Sequence, residues 1–202
     1  MSLADEHAHD FVRSCVRAGL LCDAELYDEV VLAISSELPA LAGQADELAR
    51  EWIAAYRREL GDDQEDWPDV TDYDRLQAAF AELERADVIV LQGCEDHWAA
   101  KAVLDARADH PPRGVAWFTA PDVWHAIDEG MLEVNLWHAD TANIAPGDAL
   151  LEDAVAVLER HGLGAHFDEG RIEVGAHWQR RLPVSPAPSV SPLSPLETRD
   201  YS

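Results

Sequence analysis

The densest chemistry in the chain is Cys94-Glu95-Asp96-His97, a thiol, two carboxylates and an imidazole in consecutive positions, directly after the apolar run Val88-Ile89-Val90-Leu91. Such a set could ligate a transition metal or form a Cys/His nucleophile pair. A loop that follows a buried strand is held rigidly enough to carry either. Adjacent residues seldom converge on one point by themselves, so the chemistry needs a partner from elsewhere in the fold. His138 is the natural second group, because Asp140 stands two positions later and a carboxylate beside an imidazole can orient proton transfer. Cys94, His97, His138 and Asp140 are therefore the candidate catalytic residues, and Cys94 and His97 the candidate metal ligands. Against this stands a plain reading of Cys94 as a buried thiol and of His138 as a core-edge histidine bonded to the backbone. His7 and His9 fall on a predicted helix start, where residues two apart point about 200° away from each other and cannot share an ion.

Other catalytic marks are absent. The chain has no Gly-x-x-x-x-Gly-Lys-Ser/Thr, no His-Glu-x-x-His and no Gly-x-Ser-x-Gly. Gly162-Leu163-Gly164 follows a helix instead of a strand, which makes it a helix end and a turn, not a pyrophosphate cradle. No cofactor is predicted. Seven tryptophans are more than a core of this size requires; Trp67 and Trp98 fall in polar segments and are the candidate partner-binding residues.

The charge narrows the partner class. The 202 residues carry a formal charge of −25, a field that repels phosphate backbones and anionic lipid headgroups. Nucleic acid and membrane surfaces are excluded as expected partners, and a basic protein is favoured. Residues 1–74 hold 19 carboxylates against five arginines, a net of −14 in little more than a third of the chain. Three cysteines without a Cys-x-x-Cys pair read as reduced thiols. No apolar run approaches the ~20 residues of a membrane span. The acidic start, Met1-Ser2-Leu3-Ala4-Asp5-Glu6, lacks a basic signal region, so the expected location is the cytoplasm.

The elements that would position these residues follow from periodicity. Phe11, Val12, Cys15 and Val16 form one helical stripe, ended by Gly19. Asp23 opens a second helix with Leu26, Val30 and Ile34 inward, stopped by Pro39. A third is expected over residues 41–60, ending at Gly61. Residues 61–70 read as a polar connection after this N-terminal helical part of residues 1–60. Thr71-x-x-Asp74 resembles a capping box and opens an α+β domain over residues 71–182. Strands are predicted at Val88–Leu91, at Gly114–Phe118, and at Leu132–Trp137, where apolar and polar residues alternate. A hairpin turning at Glu169-Gly170 closes the domain. Leading helices followed by strands with interleaved helices make an α+β fold with a small, mainly antiparallel sheet. Residues 183–202 contain five prolines and five serines, too little apolar surface to fold, and are expected to be a disordered tail.

Three motifs also carry a resemblance: Trp67-Pro68-x-x-Thr71-Asp72-x-Asp74-Arg75-Leu76-x-x-Ala79-Phe80-x-x-Leu83-Glu84, then Arg113-Gly114-x-x-x-Phe118, then Gly175-x-x-Trp178-x-Arg180-Arg181. Over roughly residues 40–182 the chain resembles an actinobacterial family known only as a domain of unknown function. The resemblance implies an intracellular bacterial protein and brings no activity, cofactor or catalytic residue. Members often carry a cysteine-rich stretch after the first strand; here Cys94 stands alone before Glu95-Asp96-His97, which weakens any shared thiol or metal role. The functional expectation is a non-catalytic acidic domain that binds a basic protein, immunity- or antitoxin-like in its sharper form. The alternative is a small metal- or thiol-dependent enzyme using Cys94 and His97.

Overall fold

The computed structural model describes residues 3–183; the Pro/Ser-rich tail expected from residue 183 lies, from residue 184 onward, outside the described residues. The chain opens with three helices, α1 (Leu3–Ala18), α2 (Asp23–Glu37) and α3 (Ala45–Asp63), with a 3₁₀ turn at Pro39–Gln44 before α3. Then follow α4 (Asp72–Arg85), β1 (Val88–Gln92), α5 (His97–Asp105), β2 (Gly114–Phe118), α6 (Ala120–Asp128), β3 (Met131–His138), α7 (Ala149–Arg160), β4 (Gly164–Asp168) and β5 (Arg171–Gly175). The fold is α+β, with N-terminal helices and one five-stranded sheet in the order β1-β2-β3-β5-β4. Among the described strands only β1 and β2 pair parallel; the remaining pairs are antiparallel.

Local chemistry explains most of these boundaries. Thr71 Oγ1 accepts from the Asp74 amide at 3.2 Å while the Asp74 carboxylate accepts from the Thr71 amide at 2.8 Å, so an Asp completes the capping box of α4. Asp122 does the same for Thr119 at the start of α6. Helix α3 corrects the expected stop: it runs through Gly61 to Asp63 and a 3₁₀ turn over Gln64–Asp66. Leu60 is fully buried one residue earlier, and Gln64 Nε2 donates to the Leu60 carbonyl at 3.0 Å, so packing and a local bond carry the helix past the glycine.

Leu132, Val134 and Leu136 of β3 point, with Phe118, Ile172 and Val174, into a core covered by α4, α6 and α7. A second core lies among α1, α2 and α3, around Val12, Val30, Ile34 and Ile53. Trp124 of α6 packs against both, and its ring meets Phe11 of α1 edge-on at 5.9 Å. On the opposite sheet face, α5 sets Ala100 and Leu104 over Val115 and Trp117.

After β5 the chain leaves the sheet as a strap without regular secondary structure, residues 176–183. It is held point by point instead of by a partner strand. Trp178 bonds the Ala126 carbonyl through its amide and the Ala18 carbonyl through its indole. Thr71 Oγ1 bonds the Gln179 carbonyl at 3.2 Å, and Leu182 donates to Gln64 Oε1 at 3.1 Å. The strap thereby fastens the leading helices to the sheet. No helix among the described residues is long and apolar enough to cross a membrane.

Candidate functional site

Cys94 is placed by the sheet. Its amide donates to the Phe118 carbonyl at 2.8 Å, extending the β1–β2 pairing beyond Gln92. The side chain lies half-buried against the cluster of Ala100, Leu104, Val115 and Trp117, and its Sγ donates to the Asp96 carbonyl at 3.3 Å. Burial pushes the thiol above its ordinary pKa, which disfavours the thiolate that a nucleophile or a metal ligand requires. Asp96 is the N-cap of α5, accepting from the Ala99 amide at 2.9 Å. His97 opens α5 on the surface, its ring 4.6 Å from that of Trp98.

His138 lies far from this group. It pairs with Gly114, the first residue of β2, whereas Cys94 pairs beside Phe118, the last. Four residue steps of strand, about 13 Å, separate those two positions. The structure also changes the partner of His138: its Nε2 donates to Asp148 at 3.0 Å, and Asp148 accepts a second bond from the Ala145 amide at 2.7 Å. The His138 bond first, and the Ala145 bond second, hold the Asp148 carboxyl below its ordinary pKa. Asp140 instead folds back on the Ala142 amide at 3.1 Å, because the turn after β3 leaves that donor within its reach. Cys94 and His97 thus lie between the end of β1 and the first turn of α5, while His138 and Asp140 sit at the other end of the strands. No group of three or more His, Cys, Asp or Glu side chains among the described residues is arranged to hold a metal ion. His9 is half-buried: its ring stacks on Trp52 at 3.8 Å and its Nδ1 meets the Tyr56 hydroxyl at 2.8 Å, while His7 is exposed.

The two tryptophans separate. Trp67 packs half-buried against the helical core, with the Arg181 guanidinium 5.8 Å from its ring centroid and that same guanidinium bonded to the Pro68 carbonyl at 2.5 Å. Trp98 stands on the outer side of α5 with 65% of its surface exposed. Ala100 and Leu104 turn inward to the sheet from the same helix, and Trp98, two residues before Ala100, points away from them.

A further surface, which the inward stripe of α2 does not announce, lies on the outer side of that helix. Glu25, Asp28, Glu29 and Leu32 recur at the i, i+3, i+4, i+7 spacing of one helix face, and all four are exposed. Leu32 is 60% exposed, although its neighbours Val30 and Ile34 are fully buried. The whole helix carries five carboxylates and no Lys or Arg. The spacing is legible in the sequence, but there Leu32 reads as one more apolar residue beside the core-facing Leu26, Val30 and Ile34.

No curated protein and no solved structure matches this chain. A match to a known family extends over residues 2–182, nearly all of the chain outside the Pro/Ser-rich tail, and takes in the capping box, the Arg113-Gly114 strand and the Trp178-containing strap together. The chain belongs to DUF6891, a domain of unknown function.

Proposed function

We propose that this chain is a non-catalytic binding domain for a basic protein, with α2 as the contact face. The observation that carries the reading is the stripe Glu25, Asp28, Glu29 and Leu32: an exposed leucine in line with three carboxylates on a helix without cations. Carboxylates around an apolar anchor steer a cationic partner during encounter and leave the leucine to exclude water on docking. The net charge of −25 extends that steering to long range at low salt. An immunity- or antitoxin-like role is the sharper form, in which the partner is a basic toxin that the domain neutralises. The raised pKa of Cys94 and the use of Asp96 as a helix cap support this reading over the thiol- or metal-dependent enzyme built on Cys94 and His97.

The test compares partners retained by the native chain and by the triple variant Asp28→Lys, Glu29→Lys, Leu32→Ser, cross-linked in cells that express the protein naturally. The expected result is a basic protein cross-linked to α2 of the native chain and absent from the variant. Equal capture by both, or an acidic partner, would remove α2 as the contact. The toxin version further expects that co-expression with the captured protein restores growth.

A further inference from the structure

Where α1, α2 and α3 meet the strap, the surface opens into a cleft of about 350 Å³ whose rim carries Arg17, Arg57, Arg180 and Arg181. The chain has only 14 arginines and one lysine among 40 carboxylates, so four guanidiniums around one opening run against its composition. Among the described residues lining that cleft, Asp23 is the one carboxylate. Val16, Leu26 and Leu60, all buried, contribute apolar lining.

Each arginine is oriented by the protein and retains donors. Arg17 is held by Glu59 and Asp63, Arg57 by Asp23 at 2.5 Å, and Arg180 by the Gly19 carbonyl. Arg181 bonds the Gln64 carbonyl at 3.3 Å and the Pro68 carbonyl at 2.5 Å. A guanidinium offers five N–H donors, of which each of these arginines uses one or two. Fixed, planar, partly satisfied guanidiniums match the fork of a carboxylate or phosphate, and little side-chain entropy remains to be lost on binding. Gly19, in the left-handed region at φ +59°, leaves Arg180 room: a Cβ there would fall 3.1 Å from Arg180 Nη1, and the side chain would have to give by a few tenths of an ångström.

We infer that this cleft is a binding site for a small organic anion, one whose carboxylate or phosphate group meets Arg57, Arg180 and Arg181 while an apolar portion rests on Val16, Leu26 and Leu60. The volume suits a small metabolite. The site is independent of the α2 stripe, which requires a cationic partner.

Calorimetric titration of the full chain with phenyl phosphate, inorganic phosphate and phenol tests this. The expected result is one saturable site for phenyl phosphate, with inorganic phosphate roughly tenfold weaker and phenol without measurable affinity. Arg57→Gln should weaken phenyl phosphate about tenfold. Arg113→Gln removes the same charge from a guanidinium paired with Asp153 beside α7 and should leave binding unchanged. Arg57 lies on the surface, bonded among the described residues to Asp23 alone, and an unchanged melting temperature will show that the variant still folds. Absence of a saturable heat for phenyl phosphate overturns the inference, as does unchanged binding in Arg57→Gln or an equal loss in Arg113→Gln. Binding of phenol as tight as that of phenyl phosphate would show an apolar crevice without anion recognition and would equally overturn it.

Discussion

The indole Nε1 of Trp178 donates to the carbonyl of Ala18 at 3.0 Å, a buried bond between residues 160 positions apart. Ala18 ends α1, and its carbonyl is one of the helix-terminal acceptors that have no partner within the helix. The same indole ring meets Tyr73 of α4 edge-on at 4.9 Å and Phe118 of β2 at 5.8 Å. One side chain of the strap thus ties the first helix to the sheet and to the helix that covers it.

Trp178→Phe removes the donor and leaves the Ala18 carbonyl buried without it. The expected loss is about 1–3 kcal/mol, and Trp178→Ala should cost more, about 3–5 kcal/mol, because a cavity is added. Urea denaturation followed by far-ultraviolet circular dichroism reads both. If the leading helices were independent of the sheet, neither variant would alter their unfolding midpoint.

Gly114→Ala should destabilise the chain severely. A Cβ at this position would lie 2.2 Å from the Trp137 carbonyl oxygen and 2.8 Å from Leu150 Cδ2. The first contact is with paired backbone, so relief requires separating β2 from β3 next to the His138 pairing. A loss above about 3 kcal/mol is expected; a variant that melts with the native protein would contradict the pairing of Gly114 with His138.

The thiols should react in a defined order. Cys22 is exposed, Cys94 is half-buried with a raised pKa, and Cys15 is buried, its pKa pushed up to about 11 by desolvation first and Glu29 second. Since the thiolate is the reactive form, iodoacetamide at neutral pH should label Cys22 first and Cys15 last, as resolved by peptide mass spectrometry. Early labelling of Cys94 would show an activated thiol and revive the enzyme alternative.

Acid should weaken the contact between His138 and Asp148. The folded carboxyl of Asp148 is held below its ordinary value of 3.8. The unfolded chain therefore binds the proton more readily, and the contribution to stability is present above that value and lost as pH falls through the folded pKa. His138→Leu should let the Asp148 carboxyl titrate nearer its ordinary value in a carbon-detected NMR titration. The variant should be less stable than the native chain at neutral pH, with the deficit closing below about pH 4. An unchanged Asp148 titration would show that the Ala145 amide alone sets it.

Trp98→Ala should leave folding untouched, within about 0.5 kcal/mol, because the ring is 65% exposed and off the packed side of α5. A melting temperature lowered by several degrees would instead place the ring in a structural contact.

Much of the secondary structure was legible because its causes lie within a few residues. Thr71 with Asp74 and Thr119 with Asp122 mark helix starts through bonds that span three positions. The alternation of Leu132, Val134 and Leu136 marks β3, since a strand with one buried face must alternate. The outward acids and leucine of α2 obey the same local rule at helical spacing.

What only the tertiary structure decided are the relationships between distant residues, which local hydrogen bonding and periodicity do not encode. The strand order β1-β2-β3-β5-β4 and the parallel β1–β2 pair depend on which faces can be covered together. Cys94 and His138 both sit at strand ends in the sequence, yet pairing with β2 sends them to opposite ends of the sheet. Trp67, polar-flanked in sequence, packs against the helical core with Arg181, 114 positions later, over its ring, and the four arginines of the cleft come from two helices and the strap. Chain connectivity, burial and the demand that every buried carbonyl find a donor determine these encounters, and each is satisfied only once the whole chain has folded.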